Sequence, residues 1–397
     1  MITKAWQTAL IIVQASLGGN KVISDVLKMI KVELDVDTQS ARLISSNLEQ
    51  TSMCTVTYVG NQNAEFLIDG SLIKAFLKFK DPTFSLEFSA GLLVISCGKV
   101  HLELTTASSA GFPELGRLHD AEWSRPLSTW YIEESIGAVA HCASRDKSRP
   151  TLQGIRFIKG IDGECTSCST DGHRMSVNVV PDSPMPDMLL PVASLKAISR
   201  SIKGASSVSV CQGVDSDKED SALFLSASNR VFGLKGAINL EVENDDAEDS
   251  DEEIEFLHVF RLLEAHAYPD VAGLISTMRE HKGINVEVSL APVKDAVIIA
   301  NVFDGEFHRC VISFDETRAI VSSHQAKRGR AELSFDIIGE IDPRLKDVQL
   351  GVSGKYLLDA LGSCLGGTAT LRIPLTERGP LHIKSDAKED LIMPMRM

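Results

Sequence analysis

The sequence GSLIKAFLK, at Gly70–Lys78, predicts a short amphipathic helix entered from a turn. Two other stretches read as variants of it: Ala193–Ser201 (ASLKAISRS) and Lys355–Ser363 (KYLLDALGS). When their alanines at positions 75, 197 and 360 are aligned, the copies are 122 and 163 residues apart. Similarity at such domain-sized spacing indicates one structural unit built several times. The sequence therefore predicts three similar domains.

Short segments with strand-like apolar patterns follow each of these helices. They are Phe84–Phe88, Leu92–Ser96, Ser207–Val210, Ala222–Ser226, Ala369–Ile373 and Leu381–Lys384. A helix packed on antiparallel strands buries the apolar faces of both, which predicts the α+β class. We place the domains at residues 1–122, 123–278 and 279–397, the last with a C-terminal tail.

Length and composition are those of a globular protein without a membrane span. Of 397 residues, 44% are hydrophobic and 24% charged, and no apolar stretch approaches the roughly 20 residues that a transmembrane helix needs. The eight cysteines are scattered, which favours a reducing compartment, and we expect a cytoplasmic protein. Cys165 and Cys168 form a CxxC pair, but a second pair or suitably spaced histidines are missing. We therefore predict neither a metal nor a cofactor.

The net charge of −14 is unevenly distributed along the chain. Ten acidic residues lie within residues 241–255, so the remainder carries only −4. Such a run of like charges is typical of a solvated loop, and we interpret it as an acidic insertion in the second domain. Two alternatives are a segment that mimics DNA and a docking site for a partner.

Basic residues form stripes on the repeated helices. Lys74 and Lys78 are four residues apart, and the second copy carries three basic residues opposite an apolar face. Such a row contacts either solvent alone or the phosphates of a nucleic acid. Further basic residues follow the first helix and the helix predicted over Ile132–Cys142. The candidate DNA-facing residues are Lys21, Lys74, Lys78, Arg145, Lys147, Arg149, Lys196, Arg200 and Lys203.

Thr170–Arg174 (TDGHR) is the one segment that looks like a catalytic site, because Asp171 could orient the imidazole of His173 as a general base. No nucleophile lies nearby in the sequence, and Asp-Gly is also a tight-turn signal between two predicted strands, Cys165–Ser169 and Met175–Val179. No GxSxG, Walker or HExxH motif occurs. The sequence therefore favours a binding scaffold over an enzyme, with a hydrolase using His173 as an alternative.

Three segments carry a resemblance to a known family: Arg149–Phe157 (RPTLQGIRF), Thr170–Val177 (TDGHRMSV) and Leu391–Met397 (LIMPMRM). Together they resemble the bacterial DNA sliding clamp, the β subunit of the replicative DNA polymerase holoenzyme. The resemblance runs from the first helix to the last residue. The acidic insertion and longer loops in the third domain suggest a divergent member.

The resemblance implies a head-to-tail homodimeric ring of six similar domains, with helices lining a hole through which duplex DNA passes. Such a processivity factor tethers the polymerase to its template. Basic rows that contact phosphates without reading bases allow it to slide. The implied partners are double-stranded DNA bound without sequence preference, a DNA polymerase, clamp-loader subunits and a second copy of the chain. The alternative is a clamp-like decoy that binds clamp partners without encircling DNA.

The resemblance also implies a pocket between the second and third domains in which partners dock a short peptide. Methionine and leucine side chains suit such a slot because they adapt to apolar anchors. This chain has Gly273 where the family usually carries an arginine, so its peptide preference is expected to differ. Carried onto matching positions, the pocket contains Leu152, Thr170, Gly172, His173, Arg174, Met175, Pro269, Gly273, Leu274, Leu391, Ile392, Met393, Pro394, Met395 and Arg396.

For the dimer contact, the matching positions are Leu102 and Leu104 on a strand near the end of domain one, and Ile298 and Ile299 on an apolar helix in domain three. Burying these groups would also cover an exposed strand edge. The tail at Met393–Met397 is expected to form a wall of the peptide pocket rather than only to complete the last domain.

Overall fold

The structure, a computed structural model, describes residues 1–19, 24–113, 118, 121–214, 227–240, 252–303, 309–376 and 379–396. The chain divides into two compact units. The first comprises Met1–Trp130 and Ala193–Leu263, and the second comprises Tyr131–Val192 and Glu264–Met397.

Helices and short antiparallel strands alternate along the chain, as the α+β class requires. The α-helices are α1 (Thr3–Val13), α2 (Ile73–Phe76), α3 (Trp130–Gly137), α4 (Leu195–Ile202), α5 (Val271–Glu280), α6 (Leu290–Val302) and α7 (Gly354–Gly362). The 3-10 helices are Gln14–Ser16, Asp25–Lys28, Gly70–Leu72, Ala140–Cys142, Pro150–Gln153, Val192–Ser194, Ala265–Ala267 and Pro343–Leu345.

The strands are β1 (Met29–Asp35), β2 (Ser40–Ser46), β3 (Gln50–Thr57), β4 (Ala64–Asp69), β5 (Ser85–Ser89), β6 (Leu92–Cys97), β7 (Val100–Thr105), β8 (Leu127–Ser128), β9 (Gly154–Lys159), β10 (Cys165–Thr170), β11 (Arg174–Val180), β12 (Met188–Pro191), β13 (Ala205–Val214), β14 (Ala227–Leu240), β15 (Glu252–Leu263), β16 (Gly283–Ser289), β17 (Arg309–Phe314), β18 (Arg318–Gln325), β19 (Gly329–Ile338), β20 (Gln349–Ser353), β21 (Thr368–Pro374), β22 (Leu381–Ser385) and β23 (Lys388–Ile392).

The first unit is built on two antiparallel sheets. One has eight strands in the order β4-β1-β2-β3-β15-β14-β13-β8, and the other has three, β5-β6-β7. α1 and α4 contact each other and cover the larger sheet where β3 pairs with β15. α2 packs on α1 through an aromatic cluster, in which the rings of Trp6, Phe76 and Phe84 lie between 5.1 and 6.5 Å apart. Close aromatic packing of this kind fixes α2 against the sheet edge.

The second unit is built on one sheet of twelve strands, in the order β12-β9-β10-β11-β23-β22-β21-β16-β19-β18-β17-β20. α6 and α7 contact each other, and α6 also packs on β17, β18 and β19. Their apolar faces share one buried core that includes Val297, Leu357, Leu361, Phe335 and Ile383. The start of α7 is fixed locally, since Ser353 Oγ accepts a hydrogen bond from the backbone N–H of Tyr356 and so caps the helix.

The repeating unit is smaller than the sequence alone indicates. Each predicted repeat contains two copies of one motif, which consists of a strand, a helix and three further strands. Five copies are β4-α2-β5-β6-β7, β8-α3-β9-β10-β11, β12-α4-β13-β14-β15, β16-α6-β17-β18-β19 and β20-α7-β21-β22-β23. The first copy begins with the bridge between Ile2 and Thr83 and continues as α1-β1-β2-β3. The same strand order recurs as β4-β1-β2-β3, β12-β9-β10-β11 and β20-β17-β18-β19. This recurrence supports a threefold repeat.

Most elements predicted from the sequence are confirmed, with two corrections. The helix predicted over Ile132–Cys142 is wrong in its extent: α3 ends at Gly137, and a separate 3-10 helix covers Ala140–Cys142. The acidic insertion predicted over 241–255 is also too long, because residues 252–255 are the start of β15 and pair with β14. Residues 241–251 and the strand predicted at 222–226 lie outside the described residues.

The domain bounds of the sequence analysis stay a prediction. The bound at residue 278 falls inside α5. The two compact units also divide the predicted second domain, because its strands continue into two different sheets: β15 pairs with β3, and β11 pairs with β23. Among the described residues, no helix has both the length and the apolar character needed to span a membrane.

Candidate functional site

The TDGHR segment forms the tight turn between β10 and β11, and its own side chains hold it. Gly172 has a φ of 89°, a conformation that favours glycine. The Asp171 carboxylate accepts hydrogen bonds from the backbone N–H groups of His173 (2.9 Å) and Arg174 (3.1 Å). Thr170 Oγ1 donates to the Arg174 carbonyl at 2.7 Å. The turn is therefore rigid, while Gly172 and His173 at its tip are exposed.

Arg174 connects this turn to α7. Its Nε donates to Asp171 Oδ2 at 3.0 Å, and its Nη1 donates to Asp359 Oδ2 at 2.7 Å. The guanidinium carbon lies 4.1 Å from the ring centre of Tyr356, within cation–π range. Burial lowers the pKa of Arg174, but the ion pairs with Asp359 and Asp171 outweigh it, so the net change is a rise. The side chain is fixed on three sides and stays charged.

The C-terminal segment is attached to the same turn. β23 pairs with β11, which sets Leu391 opposite Met175 and Ile392 opposite Arg174. Beyond the strand, the backbone N–H of Met393 donates to the His173 carbonyl at 2.9 Å. The N–H of Met395 donates to the Gly351 carbonyl at 2.8 Å. The segment predicted as a pocket wall is thus bound by main-chain hydrogen bonds rather than frayed.

The predicted pocket residues differ in exposure. Met175 is 4% exposed, whereas Met393 and Leu274 are each 43% exposed. Leu391, Pro394, Met395 and Leu152 are half-buried, and Ile392 and Thr170 are buried. Pro269, Gly273 and Leu274 lie at and just before the start of α5, and all three are exposed. Gly273 N–H donates to Asp270 Oδ1 at 3.2 Å, and an added Cβ would lie 2.6 Å from the other carboxylate oxygen of Asp270.

A cleft of about 880 Å³ opens beside the tail. Its lining is basic and partly apolar: Arg309, Val311, Ser322, Ser323, His324, Arg330, Met395 and Arg396. Arg309 Nη1 donates to the Arg396 carbonyl at 3.0 Å, which fixes the end of the tail at the rim. The cleft offers positive charge next to the methionines of the tail.

The geometry of the turn does not orient a catalytic base. The Asp171 carboxylate is engaged by backbone N–H groups and by Arg174, not by the imidazole of His173. The CxxC thiols lie buried in β10, and burial raises the pKa of Cys165 to about 11 and that of Cys168 to about 12. Thiols with such pKa values are weak nucleophiles and poor redox groups.

The predicted basic stripes lie partly on the helices of the first unit. Lys74, Lys78, Lys196 and Lys203 are exposed on or next to α2 and α4. Arg200 is half-buried, because its Nη1 donates to the Ile11 carbonyl of α1 at 3.0 Å. That residue therefore joins two helices in addition to any role toward a phosphate. Lys21 lies outside the described residues.

In the second unit, Arg145 and Lys147 are exposed, but Arg149 is engaged. It donates from Nε to Asp146 Oδ2 at 3.1 Å and from Nη1 to the Asp171 carbonyl at 3.0 Å. The side chain thus ties the loop after α3 to the TDGHR turn. These contacts hold the local structure together, and the orientation of Arg149 toward DNA stays a prediction.

The predicted dimer residues lie on two different kinds of surface. Leu102 and Leu104, on β7, are half-buried and line a small apolar cavity with Trp6 and Leu10. Ile298 and Ile299 lie within α6 and are 49% and 46% exposed. Val302, one turn further along α6, is also exposed. Together Ile298, Ile299 and Val302 form an apolar patch beside β19.

Two residues that hold Arg174 beside the turn, Tyr356 and Asp359, are not among the site residues predicted from the sequence. Their spacing of three places them on one face of α7, which the sequence could have indicated. Their partner Arg174 is distant in sequence, so only the fold brings the three together.

No protein-family model matches the chain, but individual proteins do. It is 24% identical to the beta sliding clamp of Streptococcus pneumoniae strain R6 over 388 residues, which cover 92% of this chain and 91% of that protein. The beta sliding clamp of Lactococcus lactis is 28% identical over 241 residues, 57% of this chain and 59% of that protein.

Solved structures share the fold over the full length of the chain. The DNA polymerase III beta subunit of Thermotoga maritima matches with a TM-score of 0.79 at 17% identity, covering 100% of this chain and 98% of that one. The corresponding subunit from Pseudomonas aeruginosa matches with a TM-score of 0.79 at 14% identity, covering 100% and 99%. The chain thus resembles the bacterial beta sliding clamps over nearly its whole length, in sequence and in fold, and is a divergent relative of them.

Proposed function

We propose that this protein is a DNA sliding clamp, a processivity factor without catalytic activity of its own that acts in the cytoplasm. The observation that carries the proposal is a repeated edge pairing. The last strand of one βαβββ copy pairs with the last strand of another: β3 with β15 in the first unit, and β11 with β23 in the second. Two last strands remain, β7 and β19.

These two strands supply the closing contact. Among the described residues, β7 pairs only with β6. β19 pairs with β18 along most of its length, and on its other side with β16 at Ile337 and Ile338 alone. Open edges favour pairing with another chain. If β19 of one chain pairs with β7 of a second copy, the same pairing occurs twice, and two chains close head to tail into a ring.

The apolar patch on α6 supports this contact. An unpartnered apolar patch next to an open strand edge marks an interaction surface. In the first unit, the corresponding contact sets α4 against α1, with Arg200 on the Ile11 carbonyl. The spacing of 122 residues makes Lys78 the equivalent of Arg200. Lys78 therefore lies at the chain junction, against α6 of the partner, rather than in the DNA path alone.

The exposed lysines on or next to α2 and α4 bind DNA without sequence preference. Exposed ammonium groups attract phosphates but distinguish no bases, so the protein stays free to slide. Retention then depends on topology, and the loss of any single lysine costs little. The net charge of −14 does not oppose DNA binding, because the duplex responds to the local electrostatic potential near the lysines rather than to the total charge.

Partner proteins, a DNA polymerase and clamp-loader subunits, dock through a short peptide on the TDGHR turn and tail. The buried Met175 and the exposed Met393 provide an adaptable apolar slot. The cleft with Arg309, Arg330 and Arg396 continues it with positive charge. Gly273 leaves α5 without a side chain at the position where the family usually carries an arginine. Peptides that contact that arginine in other clamps therefore bind this protein less well.

A topological experiment tests the proposal. The chain is diluted to dissociate dimers, mixed with nicked circular DNA and concentrated again, and bound protein is isolated by gel filtration in high salt. We expect protein to remain on the circle and to leave after a restriction enzyme linearises it, because a ring slides off a free end.

The matched control is the triple variant Lys74→Ala, Lys196→Ala and Lys203→Ala. It should form dimers normally but assemble on DNA with a salt dependence flatter by about 0.9 per lost contact. Protein that is absent from the circle at every salt concentration, yet still binds clamp-binding peptides, would support the decoy and contradict the proposed clamp.

A further inference from the structure

Three metal-ligating side chains meet behind the TDGHR turn. The ligand atoms of His141, Cys142 and Asp390 all lie within 4.8 Å of one another. Asp390 is 1% exposed, Cys142 is 1% exposed and His141 is half-buried. The carboxylate comes from the tail strand β23 and the other two groups come from the 3-10 helix Ala140–Cys142.

The fold holds both halves of this cluster in place. Ser169 donates to the Val139 carbonyl, and Ser176 donates to the Ala138 carbonyl at 3.1 Å, so the segment before the 3-10 helix is fixed to β10 and β11. Asp390 lies directly opposite Ser176 in the β11–β23 pairing. The three ligand groups are therefore preorganised by backbone elements rather than by loops.

Several atoms of the cluster have unsatisfied hydrogen-bonding capacity. His141 Nε2 lies 3.3 Å from Asp390 Oδ1, but the angles are not those of a hydrogen bond. Within the described part of the chain, Asp390 Oδ1 and both imidazole nitrogens of His141 have no hydrogen-bond partner. A buried polar atom without a hydrogen-bond partner destabilises the folded state. The unpaired atoms of His141 and Asp390 are therefore suited to bind a ligand that is not part of the protein chain.

The equivalent junction in the first unit provides an internal comparison. There Ser45 donates to the Val13 carbonyl, as Ser169 does to the Val139 carbonyl. Ser52 and His258 occupy the paired positions that Ser176 and Asp390 occupy in the second unit. At that junction both nitrogens of His258 are hydrogen-bonded, to Ser52 and to Ser201. In the first unit, the buried histidine is fully hydrogen-bonded by neighbouring side chains. In the second unit, the potential metal-ligand atoms of His141 and Asp390 have no hydrogen-bond partner.

We propose that His141, Cys142 and Asp390 bind a divalent transition-metal ion, with Zn²⁺ as the best fit. An imidazole, a thiolate and a carboxylate are all established zinc ligands, and water or a fourth group completes a tetrahedron. Asp390 is distant in sequence from His141 and Cys142, which is why spacing alone predicted no metal.

The charges around the cluster are compatible with a cation of +2. A Cys142 thiolate and the Asp390 carboxylate supply two negative charges, and the ammonium group of Lys388 shares the carboxylate with the cation. Lys388 Nζ bonds Asp390 Oδ2, which leaves Oδ1 for the metal, and Arg174 and Asp171 are further charges near Cys142. Burial raises the pKa of Cys142 well above its usual value, so without a metal the thiol stays protonated. Metal binding displaces that proton.

A metal at this position would link the 3-10 helix to β23 and so brace the strand that carries the peptide-binding tail. Metal-free full-length protein is titrated with Zn²⁺ by calorimetry, and with Co²⁺ by absorption spectroscopy. We expect one equivalent per chain, a thiolate-to-cobalt charge-transfer band, and a rise in Tm on adding Zn²⁺.

Cys142→Ser should abolish the charge-transfer band, and Asp390→Asn and His141→Gln should each weaken binding by tenfold or more. Circular dichroism of the metal-free variants checks that each is folded, and any one folded variant suffices for the test. The controls are Cys165→Ser, which removes a buried thiol of the CxxC pair, and His266→Gln, which removes an exposed histidine. Absent binding by the parent, or binding that all three variants retain, would overturn the proposal.

Discussion

Acid should destabilise the first unit through a single buried histidine. His258, on β15, is fully buried, with Nδ1 2.7 Å from Ser52 Oγ and Nε2 bonded to Ser201. Burial lowers its pKa from 6.5 to about 3. Because the folded state disfavours the proton, the stability from neutral His258 is complete above pH 6.5 and is lost as pH falls from 6.5 toward 3.

The magnitude follows from the two pKa values. Each unit of difference corresponds to about 1.36 kcal/mol. Between pH 7.5 and pH 4.5 the unfolded histidine becomes protonated and the folded one does not, which lowers the free energy of unfolding by about 2.7 kcal/mol. His258→Gln should remove this part of the pH dependence. At pH 7.5 the free energy of unfolding of the variant should be lower by about 1–3 kcal/mol, because glutamine does not reproduce the hydrogen bonds of the imidazole to Ser52 and Ser201.

Tryptophan fluorescence gives an assay specific to this unit. All three tryptophans, Trp6, Trp123 and Trp130, belong to the first unit. Urea unfolding at fixed protein concentration is followed at pH 7.5 and 4.5 for the parent, His258→Gln and His101→Gln, the last an exposed histidine of the same unit. If His258→Gln loses as much stability between the two pH values as the parent does, His258 is not the acid-sensitive group.

Three further predictions concern the binding surfaces. Deleting residues 393–397 should leave the dimer and its thermal unfolding nearly unchanged but abolish binding of a fluorescent polymerase-derived peptide; unchanged affinity would exclude the tail as a pocket wall. Ile299→Asp should convert the dimer into a 43.1 kDa monomer by light scattering, whereas Ile161→Asp, at a fully exposed isoleucine, should not. Asp359→Asn should cost about 1–3 kcal/mol and weaken peptide binding severalfold, because Arg174 loses its 2.7 Å partner; an affinity equal to the parent's would contradict that role.

The sequence predicted those features whose pattern is local. The three repeated helices and most strands were recognised because their apolar spacing repeats within a few residues. The tight turn at Asp171–Gly172 was recognised for the same reason. These signals depend on backbone conformation and one buried face, which neighbouring residues determine directly.

The remaining features depend on burial and distance that a single sequence does not contain. Lys388, Glu389 and Asp390 are consecutive charged residues that a pattern assigns to solvent, yet all three are buried in β23. They are tolerated because each has a partner: Glu389 pairs with His382 and Arg279, and Lys388 pairs with Asp390. Likewise Arg200 reads as part of a basic stripe, but its head group bonds to α1.

The internal junctions also bear on how one small motif could build the proposed ring without a large apolar interface. A strand that slips by one residue turns its side chains to the opposite face. At each internal junction the paired positions carry polar groups, Ser52 with His258 and Ser176 with Asp390, and these are buried. A slipped register would separate Ser52 from His258 and move Ser176 away from the Ala138 carbonyl, so these buried hydrogen bonds disfavour the wrong register. In the proposed ring, the chain-to-chain junction between β19 and β7 would carry the apolar patch on α6 in place of buried polar pairs, so it could open while the internal junctions stay fixed. The proposed clamp function requires this difference, because the ring has to open at one kind of junction in order to admit DNA.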